Sequence, residues 1–162
     1  MIRQARQSDL QSILTIYNHA ILNTTAVYTY EPVTIEERET WFHKKLEQDE
    51  PIFVYLKDDK VVGFATYGSF RNWPAYQHTV EHSIYVDPGT RNEGVASQLL
   101  VKLIEEIKNR NYKTIVAGID ASNTASIKLH EKYGFELCGN IKSVGYKFSK
   151  WLDLAFYQLI LK

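Results

Sequence analysis

The chain has 162 residues, of which 44% are hydrophobic and 23% charged, and its 19 basic residues are balanced by 19 acidic ones. This length and composition predict one globular domain over residues 1–162 with a core of useful size. The zero net charge argues against a nucleic-acid-binding protein that relies on bulk positive charge. The apolar runs are too short to cross a membrane, so no membrane partner is expected.

The single cysteine, Cys138, cannot form an internal disulfide, which makes a reducing cytoplasm the expected location. No motif surrounds it, and we interpret it as a small apolar filler rather than a reactive thiol. The opening "MIRQARQSDLQ" lacks an apolar segment, so no signal peptide is expected. The five histidines lack paired ligand spacing, so no metal site is expected.

The first third of the chain predicts a short strand and two helices. "IRQAR" alternates as a strand does, and "SDLQSILTIYNHAI" combines helical spacing with a capping box from Ser8 to Gln11. "NTTAVYTYEPV" is too β-branched and broken to indicate a helix. "TIEERETWFHKKLEQ" predicts the second helix, with Thr34 and Glu37 as its capping box.

The middle third predicts three strands and a helix. "IFVYL" and "VVGFATYGSF" flank the polar turn "KDDK" and indicate a hairpin. After the loop "RNWPAYQ" comes the strand "HTVEHSIYV", which "DPG" ends. A helix with one apolar side then runs from about Gly94 to Arg110.

The last third predicts a buried strand, a helix and two closing strands. "KTIVAGID" is nearly continuously apolar, as strands near a sheet centre are. "NTASIKLHEKYG" indicates a helix with Asn123 at its start and Gly134 as its C-cap. "FELCGNIKSVGYKFSKW" and "DLAFYQLIL" indicate the closing strands. The order β-α-α-β-β-β-α-β-α-β-β predicts an α/β fold, a mixed sheet with helices on its faces.

The hexamer "RNEGVA", residues 91–96, fits the pattern Arg/Gln-x-x-Gly-x-Gly/Ala at a strand-to-helix junction. Gly94 and Ala96 leave the backbone accessible, so successive N–H groups and the helix dipole can hold a pyrophosphate. An ordinary strand-to-helix turn has the same features, and the hexamer alone leaves both interpretations open.

Four ordered segments resemble the GNAT superfamily of acyl-CoA-dependent N-acyltransferases: "VVGFATY", "VEHSIYVDPGTRNEGVASQLL", "VAGIDASNTASIKLHEKYGFE" and "KFSKWLDLAFYQLIL". "VEHSIYV", "KF-x-x-W-x-D" and "YTYEPVTIEERETWF" are similar to one branch, the phosphinothricin N-acetyltransferases and related amino-acid acetyltransferases. The resemblance covers most of the chain and implies the GNAT fold. One departure is Ala96, which stands where the superfamily often has glycine.

The resemblance implies an acetyl-CoA site. The strand before the loop would lend its backbone to the pantetheine arm, the loop would hold the pyrophosphate behind a leading arginine, and an asparagine would hydrogen-bond the cofactor arm. Asn123 also suits a helix N-cap, and the two roles are compatible. The implied residues are Ile84, Tyr85 and Val86 in the strand, Arg91, Asn92, Glu93, Gly94, Val95, Ala96 and Ser97 in the loop, and Asn123.

Acetyl transfer to an amine needs a group that receives the amine proton, and Glu81 is the candidate. Strand alternation places it on the face opposite His82. Glutamate is uncommon in such a strand, and its ordinary pKa of about 4.3 is low for this work unless burial raises it. The alternative is a carboxylate that only pairs with a neighbouring basic group.

Three further side chains compete for proton transfer. His82 has a suitable ordinary pKa but lies on the apolar face, where packing or hydrogen bonding is the simpler interpretation. The resemblance places His130 where many members carry a tyrosine thought to protonate the departing thiolate, with Tyr133 as the fallback. Helix packing is the alternative for both. The oxyanion would be met by backbone N–H groups of the cofactor strand.

The acceptor side is predicted from two segments. In "FRNWPAY", Arg71 can pair with an amino-acid carboxylate, and Trp73 and Tyr76 can wall a pocket. A surface loop with a salt-bridged arginine is the alternative. The early "VYTYEP" offers further lining residues, namely Tyr28, Tyr30 and Glu31.

These patterns and the resemblance together predict an enzyme. It would transfer an acetyl group from acetyl-CoA directly to the amine of a small amino-acid-like acceptor. The resemblance alone implies an acceptor of the phosphinothricin, methionine sulfone or methionine sulfoximine type. The alternatives are a protein or peptide amine as acceptor, or an acyl-CoA-binding module without turnover. The resemblance and the aromatic-rich closing strands also imply a homodimer.

Overall fold

The computed structural model describes residues 1–162 and contains seven β-strands and four α-helices in the predicted order. None of the helices is long and apolar enough to span a membrane. The strands are β1 Ile2–Gln4, β2 Ile52–Lys57, β3 Lys60–Ser69, β4 Thr79–Val86, β5 Thr114–Asp120, β6 Glu136–Lys147 and β7 Lys150–Ile160. The helices are α1 Leu10–Asn23, α2 Ile35–Glu47, α3 Val95–Asn109 and α4 Thr124–Lys132.

All seven strands form one mixed sheet in the order β1-β2-β3-β4-β5-β7-β6. Only β4 and β5 run parallel; the other neighbouring pairs are antiparallel. The parallel pairing begins at Thr79 with Thr114 and ends at Glu81 with Val116. Both strands continue beyond that last pair, so they separate and leave a gap near the middle of the sheet.

Apolar side chains fill both faces of the sheet because successive strand residues point to opposite sides. On β3, Phe64 packs beneath α1 and α2, while its neighbour Ala65 belongs to the core beneath α3. On β2, Val54 and Phe53 divide in the same way. Each buried valine or phenylalanine contributes about 1.5–3 kcal/mol, so the two cores stabilise the sheet on either side of its gap.

The capping box predicted for α2 is confirmed. The Thr34 hydroxyl accepts a hydrogen bond from the Glu37 N–H at 3.2 Å, and the Glu37 carboxylate accepts one from the Thr34 N–H at 3.4 Å. Gly134, with φ of 92°, follows α4 as the predicted C-cap glycine. These signals come from backbone hydrogen-bonding needs, so the sequence carries them directly.

The capping box predicted from Ser8 to Gln11 is wrong. A 3₁₀ turn over Gln7–Asp9 precedes α1, and the Asp9 carboxylate accepts a hydrogen bond from the Arg6 N–H at 2.7 Å. The Arg3 guanidinium holds the same carboxylate with two hydrogen bonds, at 2.7 and 3.0 Å. This charged pair is stronger than a hydroxyl cap, so Asp9 sets the start of the helix.

The predicted boundary between the closing strands is also wrong. The turn lies at Phe148 and Ser149, and Trp151 is inside β7 rather than at the end of β6. Both turn residues have positive φ, 53° and 60°, as a type I′ two-residue hairpin turn requires. The usual signal for such a turn is glycine or asparagine, and neither is present.

Cys138 is exposed on β6, so its interpretation as a small apolar filler is wrong. Its thiol donates to the Phe156 carbonyl at 3.2 Å. The residue is exposed because β6 lies at the edge of the sheet.

Candidate active site

The gap between β4 and β5 opens into a cavity of about 910 Å³ that reaches the start of α3. Ile84, Tyr85 and Val86 line it, as predicted for the cofactor strand. One edge of this segment is hydrogen-bonded to β3, whereas the other has no strand partner beyond Glu81. Its free N–H and C=O groups can therefore bind the amides of an extended ligand such as pantetheine.

The loop between β4 and α3 presents backbone amides to the same cavity. Gly94 is the N-cap of α3 with φ of 78°, and Asn92 also has positive φ, 66°. No side chain caps this helix, so its first N–H groups remain available to an anion. The other predicted loop residues that line the cavity are Arg91, Val95, Ala96 and Ser97.

Glu93 is the predicted loop residue that does not line the cavity. Its carboxylate turns outward and pairs with Lys57 at the end of β2. An anion at the loop therefore does not face this negative charge.

Asn123 lines the cavity and caps α4 at the same time. Its side-chain oxygen accepts a hydrogen bond from the Ser126 N–H at 3.1 Å. The side-chain amide nitrogen is left to donate to a ligand, so the two predicted roles are compatible.

The cavity of about 910 Å³, called the cofactor cavity below, meets a second, smaller cavity of about 450 Å³ at Glu81. Both cavities share Thr25, Ala26, Glu81, Gly118 and Asp120. Burial raises the pKa of the Glu81 carboxyl, and no basic group pairs with it. The ion-pair alternative is therefore not what the structure shows, and the raised pKa suits a general base.

His82 and His130 form a buried pair on the opposite side of β4, with their Nε2 atoms 2.9 Å apart. The Nδ1 of His130 lies 2.7 Å from the Ser126 carbonyl, which can only accept, so Nδ1 carries the proton. His130 Nε2 then accepts the hydrogen bond that His82 Nε2 donates. Burial lowers the pKa of His82 to about 3 and also lowers the pKa of His130, so both rings are neutral.

This arrangement commits both ring nitrogens of His130. The side chain lines the cofactor cavity, but no N–H is free for a departing thiolate. The Tyr133 hydroxyl instead contacts the Ser97 hydroxyl at the first turn of α3. The predicted acid role of His130 remains a prediction, as does that of Tyr133, whose hydroxyl reaches the cavity only through its contact with Ser97.

The smaller cavity contains some of the predicted acceptor residues and not others. Arg71 and Tyr28 line it. Arg71 forms no ion pair, and its guanidinium lies 5.5 Å from the centre of the Phe70 ring. The remaining predicted residues are exposed and lie outside the lining, namely Trp73, Tyr76, Tyr30 and Glu31.

Several lining residues were not predicted. Asp120 is buried at the end of β5 and lines both cavities, and Phe70, Leu154 and Phe156 complete the smaller one. A carboxylate that ends the apolar strand "KTIVAGID" is a detectable signal for Asp120. Nothing in the pattern of β7 distinguishes Leu154 and Phe156 from ordinary core residues.

An open strand edge and an uncapped helix start line one cavity, and a smaller cavity joins it at the Glu81 carboxylate; this arrangement is what an acyl-CoA-dependent N-acyltransferase requires. The acetyltransferase (GNAT) domain family model matches residues 2–156, and the chain belongs to this family. It is an acetyl-CoA-dependent N-acetyltransferase.

Similar proteins extend over nearly the whole chain. An L-methionine sulfoximine/L-methionine sulfone acetyltransferase of Pseudomonas aeruginosa is 44% identical over 99% of this chain and 94% of its own length. A phosphinothricin N-acetyltransferase of Streptomyces coelicolor is 33% identical over 97% of this chain and 94% of its own length.

Solved structures agree in fold. An N-acetyltransferase from Staphylococcus aureus is 62% identical, with a TM-score of 0.99 and coverage of 100% and 98% of the two chains. A phosphinothricin acetyltransferase from Sinorhizobium meliloti, solved in complex with AcCoA, is 36% identical. Its TM-score is 0.97, and the match covers 99% of this chain and 88% of the other. A ribosomal-protein-alanine N-acetyltransferase from Brucella melitensis is 43% identical, with a TM-score of 0.98 over 99% of both chains.

Proposed function

We propose that the chain acetylates the α-amine of a small free amino acid or analogue, of the class that includes methionine sulfone, methionine sulfoximine and phosphinothricin. The observation that carries the proposal is the meeting of the two cavities at Glu81, with Arg71 in the smaller one. About 450 Å³ suits a compact ligand. The relatives that act on such acceptors support the same class.

The site performs the transfer by direct attack between two bound substrates. Glu81 receives a proton from the acceptor amine, whose nitrogen then attacks the thioester carbonyl carbon. Backbone N–H groups on the open edge of β4 stabilise the oxyanion that forms. When the carbon–sulfur bond breaks, we expect the Ser97 hydroxyl, which lines the cavity and contacts the Tyr133 hydroxyl, to pass on the proton that the thiolate takes up.

Arg71 gives the acceptor its orientation. Its unpaired guanidinium matches the two oxygens of an α-carboxylate, which a lysine cannot reproduce. A carboxylate held there would fix the α-amine relative to the thioester, and this orientation supplies a large part of catalysis between two bound substrates.

A protein N-terminus is the second candidate acceptor, because the Brucella melitensis neighbour is described as acting on a ribosomal-protein alanine. A thiol-release assay with acetyl-CoA separates the two. We expect turnover with free methionine sulfone and phosphinothricin and little with alanine-initiated peptides. Turnover confined to the peptides would contradict the proposal.

Arg71→Lys tests whether Arg71 binds the carboxylate of the acceptor. Loss of the bidentate pair removes about 1.5–3 kcal/mol, so the KM for the amino acid should rise about 10- to 100-fold. The KM for acetyl-CoA should change little. The control is an acceptor with an amidated carboxylate, which should lose little more in the variant. Equal losses for acid and amide would show that Arg71 only supports the loop.

A homodimer is also proposed, with an interface that adjoins the acceptor cavity. The support is a set of exposed apolar side chains along the edge strand β6 and along β7, distributed over both faces of the sheet. Its exposed members are Leu137, Ile141, Val144, Tyr146, Trp151 and Ile160. Exposed apolar side chains on an edge strand that has no partner on its outer side are a typical contact site between copies of one chain.

A further inference from the structure

We propose that Asp120 binds the ammonium form of the acceptor amine beside Glu81, as a second substrate carboxylate in the site. The inference rests on the proposed function and names the group that selects a cationic amine. The two carboxylates then have different roles: Asp120 binds the amine nitrogen, and Glu81 accepts its proton.

The Asp120 carboxylate is buried with one oxygen unpaired. The residue is 6% exposed at the end of β5, and its Oδ1 accepts hydrogen bonds from the Ser122 N–H at 2.8 Å and the Ser122 hydroxyl at 2.7 Å. Its Oδ2 has no partner. The Thr25 hydroxyl approaches the carboxylate without the geometry of a hydrogen bond to Oδ2. A buried charged oxygen without a hydrogen-bond partner costs free energy, so we infer that a ligand donates a hydrogen bond to Oδ2.

The position of Asp120 matches that of the reacting amine. It lines both cavities, as Glu81 does, and it shares one face of β5 with Gly118 two residues before. A Cβ on Gly118 would lie 3.4 Å from the Glu81 Oε2 atom. Glycine therefore leaves open the space between the two carboxylates, where an amine would sit.

The surroundings give the two carboxylates different protonation behaviour. Burial raises the pKa of Asp120, but the Thr25 and Ser122 groups and the Lys150 charge outweigh it and hold the pKa below its usual range. Burial alone raises the pKa of Glu81. Two carboxylates whose pKa values are pushed apart take different roles: one stays an anion, and the other exchanges protons.

The other charged groups around the site leave this division intact. Burial, together with Asp120 and Asp153, raises the pKa of Tyr28 to about 12, so that hydroxyl stays neutral. Lys150 and Arg71 are the nearby cations, and Arg71 is assigned to the acceptor carboxylate. The attraction that holds the ammonium at Asp120 also makes its proton harder to remove, which explains why the neighbouring base needs a raised pKa.

The test compares two ligands and two proteins. Calorimetry with coenzyme A present measures binding of methionine sulfone and of its 2-hydroxy analogue, which replaces the amine by a hydroxyl. The wild type should prefer the amine about 10- to 100-fold, as loss of a charge-assisted hydrogen bond implies. Asp120→Asn, which keeps the Oδ1 contacts, should lose most of that preference. Its coenzyme A affinity should remain within about threefold of the wild type.

A variant that keeps the preference would overturn the assignment. Should the variant fail to fold, the pH dependence of wild-type binding decides instead. Affinity for methionine sulfone should fall as the pH rises through the pKa of the ligand ammonium, and an increase would overturn the proposal. A wild type that binds and acetylates no free amino acid would overturn both the proposed function and this assignment. A wild type that acetylates free amino acids, with an Asp120→Asn variant that keeps the preference for the amine, would overturn the assignment alone.

Discussion

Glu81 is half-buried, meets no basic partner and touches both cavities, so its replacement tests the chemistry at a single atom. Glu81→Gln keeps the shape and removes the proton acceptor. General-base catalysis typically contributes about 10²–10⁴-fold, so kcat should fall by that amount while the affinity for acetyl-CoA stays nearly unchanged. Steady-state kinetics with calorimetry measures both.

The pH profile of the same variant provides the control. Burial raises the pKa of Glu81, and the base works only when deprotonated, so wild-type activity should fall as the pH drops through that raised pKa. The acidic limb should therefore lie above the usual carboxylate range and disappear in Glu81→Gln. Activity within twofold of the wild type at neutral pH would show that Glu81 is structural.

The neutral pair of His82 and His130 makes stability depend on pH. Both pKa values are lowered in the folded protein, to about 3 for His82, whereas an unfolded histidine binds a proton near pH 6.5. The unfolded chain thus binds more protons as the pH falls below about 6.5. The free energy of unfolding should decrease by up to about 1.4 kcal/mol per pH unit for each histidine.

Urea unfolding between pH 7 and pH 5 measures this slope. His82→Gln can still donate to the His130 Nε2 atom but removes one titrating group, so the slope should fall by about one proton. His43, exposed on α2, is the matched control, and His43→Gln should keep the wild-type slope. Equal slopes in all three proteins would contradict the assignment of neutral rings.

The sequence predicts side-chain direction for residues in strands better than for residues in loops. Glu81 and His82 were assigned to opposite faces of one strand because alternation fixes side-chain direction. Trp73 and Tyr76 lie in a loop, where no periodicity fixes side-chain direction, and both are exposed and outside the lining of the two cavities. The sequence marks Asp120 as a carboxylate at the end of an apolar strand, but its position beside Glu81 depends on a cavity between two separated strands, which the sequence does not show.

At the scale of elements, the sequence signals that reflect backbone hydrogen bonding gave correct predictions. The order of all eleven strands and helices is confirmed, and α2 begins at its predicted box. The start of α1 and the last turn were wrong because a side-chain ion pair and two residues with positive φ decided them. Neither leaves a compositional signal.

The motif "KF-x-x-W-x-D" acquires a physical role in the hairpin of β6 and β7. The Lys147 ammonium is buried and donates to the carbonyls of Thr24 and Val27, each at 2.7 Å. Thr24 ends α1, where helix carbonyls lack partners and the dipole favours a cation. The Tyr28 hydroxyl donates to the Asp153 carbonyl at 3.2 Å. Together these contacts hold the 24–28 segment against the cavities.

Lys147→Met should loosen that segment. Two charge-assisted hydrogen bonds are lost, so the acceptor KM should rise about tenfold or more and the acetyl-CoA KM much less. Steady-state kinetics with each substrate varied gives the comparison. Lys142→Met, at an exposed lysine of the same strand, makes the same charge change and should behave as the wild type. Equal increases in both KM values would indicate general unfolding instead.

At the scale of the whole molecule, the apolar edge predicts assembly. Light scattering at micromolar concentration should give the mass of a dimer. Leu137→Glu combined with Ile141→Glu places two charges on β6 and should give a monomer. The control is Leu22→Glu with Leu46→Glu, similarly exposed residues on α1 and α2. A monomeric wild type, or identical behaviour of both variants, would contradict the proposed interface.

The gap between β4 and β5 has a consequence for the lifetime of the protein. A sheet that keeps an open edge near its centre is completed by a bound ligand, so acetyl-CoA contributes to the folding free energy as well as to the reaction. A ligand at 100 times its dissociation constant adds about 2.7 kcal/mol to the stability of the native state. We therefore expect resistance to proteolysis to rise with the supply of acetyl-CoA, so that the enzyme persists longest where its co-substrate is plentiful.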